Sequence, residues 1–153
     1  MLEIKHIESD QEKQEVKNLI LEYSKFLGVD LAFQKFEDEL ADVSIRYASG
    51  AVLIALYDGK TAGCVCLKQI GDGISEMKRL YVKPEFRGLN IGRSLAEEII
   101  NVAREKGFKA MYLDTLESLK SALELYRSIG FIETEKYYEN PFEGVVYMKL
   151  ELI

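Results

Sequence analysis

The stretch EMKRLYVKPEFRGLNIGR, Glu76 to Arg93, decides how this chain is read. Its first half, with Met77, Leu80, Tyr81 and Val82, has the apolar, β-favouring character of a strand. Pro84 breaks that run, Arg87-Gly88 follows as a turn, and an amphipathic helix is expected to begin near Ile91. A strand that feeds a glycine-bearing turn and a helix N-terminus is a place to hold an anion. The first helical N–H groups lack intrahelical partners there, and the helix dipole is positive.

Working outward, AVLIALY (51–57) and TAGCVCLKQI (61–70) flank Asp58-Gly59, a hairpin signal, and Asp72-Gly73 joins the second run to ISEMKRLYV (74–82). Three strands therefore meander antiparallel into the opening stretch. Further upstream, LEIKHIE (2–8) alternates as a first strand. Ser9 and Glu12 have capping-box spacing, and Val16, Leu19, Ile20, Tyr23 and Leu27 recur at helical spacing up to a stop at Gly28. Asp30 is placed to cap a shorter second helix carrying Leu31, Phe33, Phe36 and Leu40.

Downstream, Ile91, Leu95, Ile99, Val102 and Ala103 form one helix face ending at Gly107. KAMYLDT (109–115) is then a strand parallel to the one before the helix, by the right-handed crossover rule. Ser118 is placed to cap a last helix with Ala122, Leu125, Tyr126 and Ile129 inward and Gly130 at its end. FIETEKYY (131–138) and VVYMKLELI (145–153) read as two closing strands joined by a loop. Residues 1–153 thus read as one α/β domain.

Composition excludes several classes of function. The chain has 153 residues, enough for one core, with a hydrophobic fraction of 48%, charged residues at 30% and a net charge of −6. No basic run interleaves with aromatics, so nucleic acid is not an expected partner. No apolar run approaches the roughly 18 residues that span a bilayer, so no membrane partner is expected. MLEIKHIESDQEK has no signal-peptide pattern, and the expected location is the cytoplasm. Cys64 and Cys66 lack redox or zinc spacing and read as small buried hydrophobes. His6 is the only histidine, which leaves no basis for a histidine metal site or triad.

Three phosphate sites compete for Arg87-Gly88-Leu89-Asn90-Ile91-Gly92. A Walker loop needs Gly-Lys-Ser/Thr, whereas Gly92 precedes Arg93-Ser94. A dinucleotide fold needs G-x-G-x-x-G and an acid roughly 20 residues on. Asp114 has nearly that offset, but the glycines are missing and hairpins precede the strand. The third is a resemblance: the stretch is similar to the acyl-CoA signature of the GNAT acetyltransferases, Arg/Gln-x-x-Gly-x-Gly/Ala. Arg87 and Gly92 match, and Asn90 stands where the family usually has glycine. The likeness extends to EMKRLYV, to ALELYRSIGF (122–131) and to the order of elements, with Leu119 standing where many members have a cofactor-contacting asparagine.

The resemblance implies a GNAT-like α/β fold, with a mixed, mostly antiparallel sheet of about seven strands, a central parallel pair and about four flanking helices. It implies acetyl-CoA as cosubstrate and no metal. The backbone of Arg87, Gly88, Leu89, Asn90, Ile91, Gly92 and Arg93 would wrap the pyrophosphate. The backbone of Leu80 and Val82 would pair with pantetheine, and the Val82 N–H would face the thioester oxygen. One such oxyanion donor is typically worth about 3 kcal/mol.

Tyr126, by pattern a core tyrosine, corresponds in the family to a residue beside the CoA sulfur, where it acts as general acid or sulfur-binding hydroxyl. Glu76 is the candidate base; the alternative is a strand residue paired with Lys78. Arg79 reads either as a holder of a substrate carboxylate or as a surface charge. Tyr137, Tyr138 and Asn140 read as walls of an acceptor pocket or as a packed hairpin end. The function implied is transfer of acetyl from acetyl-CoA to an amine of a small molecule or peptide, by direct attack in a ternary complex. The alternative is a noncatalytic acyl-CoA-binding module of the same fold. A homodimer is the default assembly.

Overall fold

The structure is a computed structural model that describes residues 1–28 and 36–153. Among these, seven strands form one sheet in the order β1-β2-β3-β4-β5-β7-β6. They are β1 (Leu2–His6), β2 (Ala51–Tyr57), β3 (Lys60–Gly71), β4 (Ile74–Val82), β5 (Ala110–Leu116), β6 (Ile132–Glu133) and β7 (Val145–Glu151). The helices are α1 (Asp10–Leu27), α2 (Phe36–Ala41), α3 (Val43–Arg46), α4 (Ile91–Glu105) and α5 (Lys120–Ile129). Only β4 and β5 pair in parallel.

Alternation along the central strands sends side chains into two cores. Leu53, Ala55, Val65 and Leu67 pack with Leu95, Ile99, Leu123 and Tyr126 under α4 and α5. Val52, Ile54, Cys64 and Cys66 pack with Val16, Leu19, Ile20 and Tyr47 under α1 and α3. Both thiols are free and fully buried, as small hydrophobes would be.

Local chemistry explains the boundaries. Ser9 and Glu12 form a reciprocal capping box, and Gly28 ends α1 at φ 67. Asp58 and Gly59 both take positive φ in the β2–β3 turn, as a two-residue hairpin demands. The expected Asp30 cap and the helix positions Leu31 and Phe33 lie outside the described residues. Past them Asp42 starts α3, accepting hydrogen bonds from the Ser44 and Ile45 amides.

Two expectations are corrected. Leu119, not Ser118, occupies the α5 N-cap, because the chain turns first through a Leu119 N–H bond to the Leu116 carbonyl. FIETEKYY is strand only at Ile132–Glu133. After a last backbone bond from the Thr134 N–H to the Tyr147 carbonyl at 2.9 Å, the Tyr137 and Tyr138 hydroxyls turn to carboxylates on β4 and β5.

Candidate active site

β4 and β5 begin side by side, with Ile74, Ser75 and Glu76 paired to Ala110, Met111 and Tyr112, and no ladder joins them further on. The separation has a local cause. Opposite β4, Cys66 pairs with Lys78 but Cys64 pairs with Tyr81, so Arg79 and Leu80 together face Val65 as a bulge. Arg79 takes φ 61 to make it, an uncommon conformation for a residue with a Cβ.

That strained position is clamped. Arg79 Nε and Nη2 donate to the two oxygens of Glu39 at 2.9 and 2.8 Å, and the Tyr47 hydroxyl donates to the same carboxylate at 2.6 Å. Glu39 is 0% exposed and Arg79 6%. Burial works to lower the Arg79 pKa, but the Glu39 hydrogen bonds and charge outweigh it, and the guanidinium stays charged. The Arg79 guanidinium is therefore engaged in the protein interior, which corrects the reading of it as a holder of substrate carboxylate.

Past the bulge, Val82 lies opposite Gly63, and the Lys83 N–H donates to the Ala62 carbonyl at 2.8 Å. In an antiparallel ladder that register turns the Val82 N–H and C=O away from β3, to the edge that β5 has left. The Val82 carbonyl accepts from Arg87 Nε at 3.2 Å, and the Arg87 guanidinium lies over the Phe26 ring at 5.0 Å.

The chain then turns through Pro84–Phe86, Gly88 at φ 84 and Asn90 at φ 65 into α4. Asn90 occupies the N-cap in left-handed geometry, and no side chain caps the helix, so its first-turn amides are not spent on a cap. They border a groove of about 560 Å³ that runs from Arg87 to Gly92 and across to Ser121 and Leu125 of α5.

Between the diverging strands lies a narrow cleft lined by Lys78, Leu80, Leu113, Asp114, Tyr23 of α1 and Tyr126 of α5. Since α1 and α5 cover opposite faces, the cleft reaches through the sheet. Tyr126 packs edge-on against Phe131, and burial pushes its hydroxyl pKa up, so that it is a neutral donor. Among the described residues that hydroxyl has no hydrogen-bond partner. Burial likewise pushes the Tyr23 pKa up to about 12.

On the α1 face, the Tyr137 hydroxyl donates to Glu76 Oε2 at 2.5 Å, and the Lys78 ammonium lies 3.6 Å from Glu76 Oε1. Glu76 is 4% exposed. The Tyr138 hydroxyl and Asn140 Nδ2 both donate to Asp114 Oδ2, the latter at 2.8 Å. The tyrosine-rich loop is thus tied to the two strands that diverge.

In the sequence Asp114 stands out only by its spacing, Tyr23 only as a helix-face residue, and Glu39 not at all. An acid within the apolar run of KAMYLDT is a signal that would have found Asp114. Glu39 sits in the acidic run Glu37-Asp38-Glu39, which looks like a solvated helix start and offers no such signal.

The fold is thus a mixed sheet whose parallel strand pair is opened by a bulge, with a glycine-bearing turn and an uncapped helix below it. The family model for the acetyltransferase (GNAT) family matches residues 14–131, and the chain belongs to that family. An uncharacterised N-acetyltransferase of Schizosaccharomyces pombe is 44% identical over 99% of this chain and 95% of its own length. A GNAT-family acetyltransferase structure from Staphylococcus aureus superposes with a TM-score of 0.83 at 22% identity, covering 100% of both chains. The yncA structure from Salmonella typhimurium, solved with its cofactor acetyl-CoA, gives a TM-score of 0.74 at 21% identity and covers 100% of this chain and 95% of that one.

Proposed function

We propose that the protein transfers acetyl from acetyl-CoA directly to an amine of a small molecule or peptide, in a ternary complex. The observation that carries this is the edge of β4 at Leu80 and Val82, which no strand pairs among the described residues, with Leu80 lining the same cleft as a Tyr126 hydroxyl that has no partner among those residues. The residues fit acetyl-CoA. The backbone of Arg87, Gly88, Leu89, Asn90, Ile91, Gly92 and Arg93 holds the pyrophosphate, where uncapped amides and a positive helix end favour an anion. Leu80 and Val82 pair with pantetheine as an added strand would. The acetyl-CoA bound by the Salmonella structure supports the choice of cosubstrate.

The Val82 N–H stabilises the oxyanion as the thioester carbonyl is attacked, an effect worth about 3 kcal/mol. Tyr126 serves the leaving sulfur. Its pKa is raised, so it meets the developing thiolate first as a hydrogen-bond donor and only then as an acid. A carboxylate on the acceptor side takes the ammonium proton, and Glu76 of β4 and Asp114 of β5 are the two candidates among the described residues. Tyr137, Tyr138 and Asn140 wall that side. Direct attack is favoured over an acyl-enzyme because Cys64 and Cys66 are fully buried and their thiols are held protonated. Two unpaired thiols also suit the reducing cytoplasm.

The test is release of CoA thiol from acetyl-CoA across a panel of amines. Wild type turns over, and Tyr126→Phe falls by about 100-fold with the KM for acetyl-CoA little changed. Tight acetyl-CoA binding without release on any amine would overturn the transferase assignment in favour of a noncatalytic binding module.

A further inference from the structure

Two carboxylates face the acceptor side, and they are held differently. Both oxygens of Glu76 are engaged, one by the Tyr137 hydroxyl at 2.5 Å and one by Lys78 at 3.6 Å. Asp114 receives its two donors, Tyr138 and Asn140, on the single oxygen Oδ2. Among the described residues nothing donates to Oδ1. Asp114, and not Glu76, lines the cleft between β4 and β5. In the same cleft lies Tyr126, 8% exposed and without a hydroxyl partner among the described residues, the kind of vacancy that a ligand completes.

We propose that Asp114 is the catalytic residue that receives the acceptor's ammonium group and takes its proton, with Glu76 holding Tyr137 and Lys78 in place beside it. This rests on the acetyl-transfer reading. The ammonium docks on Oδ1 and passes one proton to the carboxylate. The freed nitrogen lone pair then forms the C–N bond to the acetyl carbonyl carbon, and the carbonyl electrons move to oxygen at the Val82 N–H. Collapse breaks the C–S bond. The sulfur takes the Tyr126 proton, Tyr126 regains one from the now cationic nitrogen, and Asp114 returns its proton to water. The products are the amide and free CoA thiol, with one proton released.

Among the described residues, the groups facing Asp114 include Lys78 and Arg79 from β4, Tyr23 from α1, Tyr126 from α5, Tyr147 from β7, and Tyr137, Tyr138 and Asn140 from the loop. Among the described residues, Asp114 and Glu76 are the two carboxylates that the tyrosine-rich loop bonds, while Glu39 is held by Arg79 and Tyr47. Asp114 alone combines a free oxygen with a place beside Tyr126.

The experiment measures thiol release from acetyl-CoA with spermidine and lysine amide, and with hydroxylamine, which is already uncharged near neutrality. Asp114→Asn is expected to lower kcat/KM for the two alkylammonium acceptors by about 100-fold or more, while hydroxylamine turnover and the KM for acetyl-CoA stay within about twofold. Glu76→Gln is expected to lower the rates with all three acceptors together, because it loosens Tyr137 and Lys78 without removing the proton acceptor.

Wild-type rates in Asp114→Asn, or a loss confined to the two alkylammonium acceptors in Glu76→Gln, would each overturn the assignment. Should Asp114→Asn fail to fold, the acceptor pattern of Glu76→Gln decides. Absence of release by wild type with all three acceptors strikes the acetyl-transfer reading itself, and this assignment falls with it.

Discussion

Asn90 turns the chain into α4 at φ 65 and ψ 19, where most side chains lose roughly 1–2 kcal/mol and asparagine far less. Asn90→Gly is therefore expected to leave the affinity for CoA within about twofold by calorimetry, whereas the β-branched Asn90→Val weakens it by about tenfold, close to 1.4 kcal/mol. At this scale the sequence was readable wherever a residue's identity bears on backbone geometry or packing: the Asn90 turn, the Gly28 stop, the Ser9 cap. Tyr126 was also legible, because the residues around it resemble a known motif. Glu39 was not, since its partner lies many residues away and spacing carries no trace of it, while Asp114 is marked only as an acid within an apolar run.

The bulge in β4 is an element-scale device, because α2 holds a strand on the far side of a core through one ion pair. Removing one partner of a buried pair leaves the other uncompensated, so Glu39→Gln should cost about 3 kcal/mol or more in urea unfolding. Burial works to raise the Glu39 pKa, but hydrogen bonds and charge from Arg79, with the Tyr47 hydroxyl, bring it below the ordinary 4.5. A carboxyl with a depressed folded-state pKa contributes stability that is complete above its unfolded value and is lost as pH falls through the folded one. The difference between wild type and Glu39→Gln should thus be full near neutrality and shrink below pH 4.5. A difference that stays constant down to acid would show that charge is not what holds the bulge. The hairpins were legible through Asp58-Gly59 and Asp72-Gly73. The bulge was hidden, since Lys78-Arg79-Leu80 has no glycine to mark it, and β6 proved short because hydroxyl contacts displaced the pairing that its β-favouring composition suggested.

At the scale of the molecule, two cores share one sheet and a cleft passes through that sheet, so a ligand wedged in it touches both layers. Acetyl-CoA at about 100 times its Kd should add about 2.7 kcal/mol of stability, raising Tm by roughly 5–10 °C, while NAD(P) should leave it unchanged. A shift with NAD(P) and none with acetyl-CoA would reverse the choice of cosubstrate. Element order and the parallel pair were legible at this scale, because period and crossover handedness constrain topology; the cleft was not, since it arises from pairing that stops. Thiolate, not thiol, attacks electrophiles, and burial raises the Cys64 pKa to about 12 and that of Cys66 as well. Chromogenic thiol reagents should therefore give a flat blank with the native enzyme and colour two sulfhydryls per chain only after denaturant, so every absorbance change under turnover conditions reports the product alone.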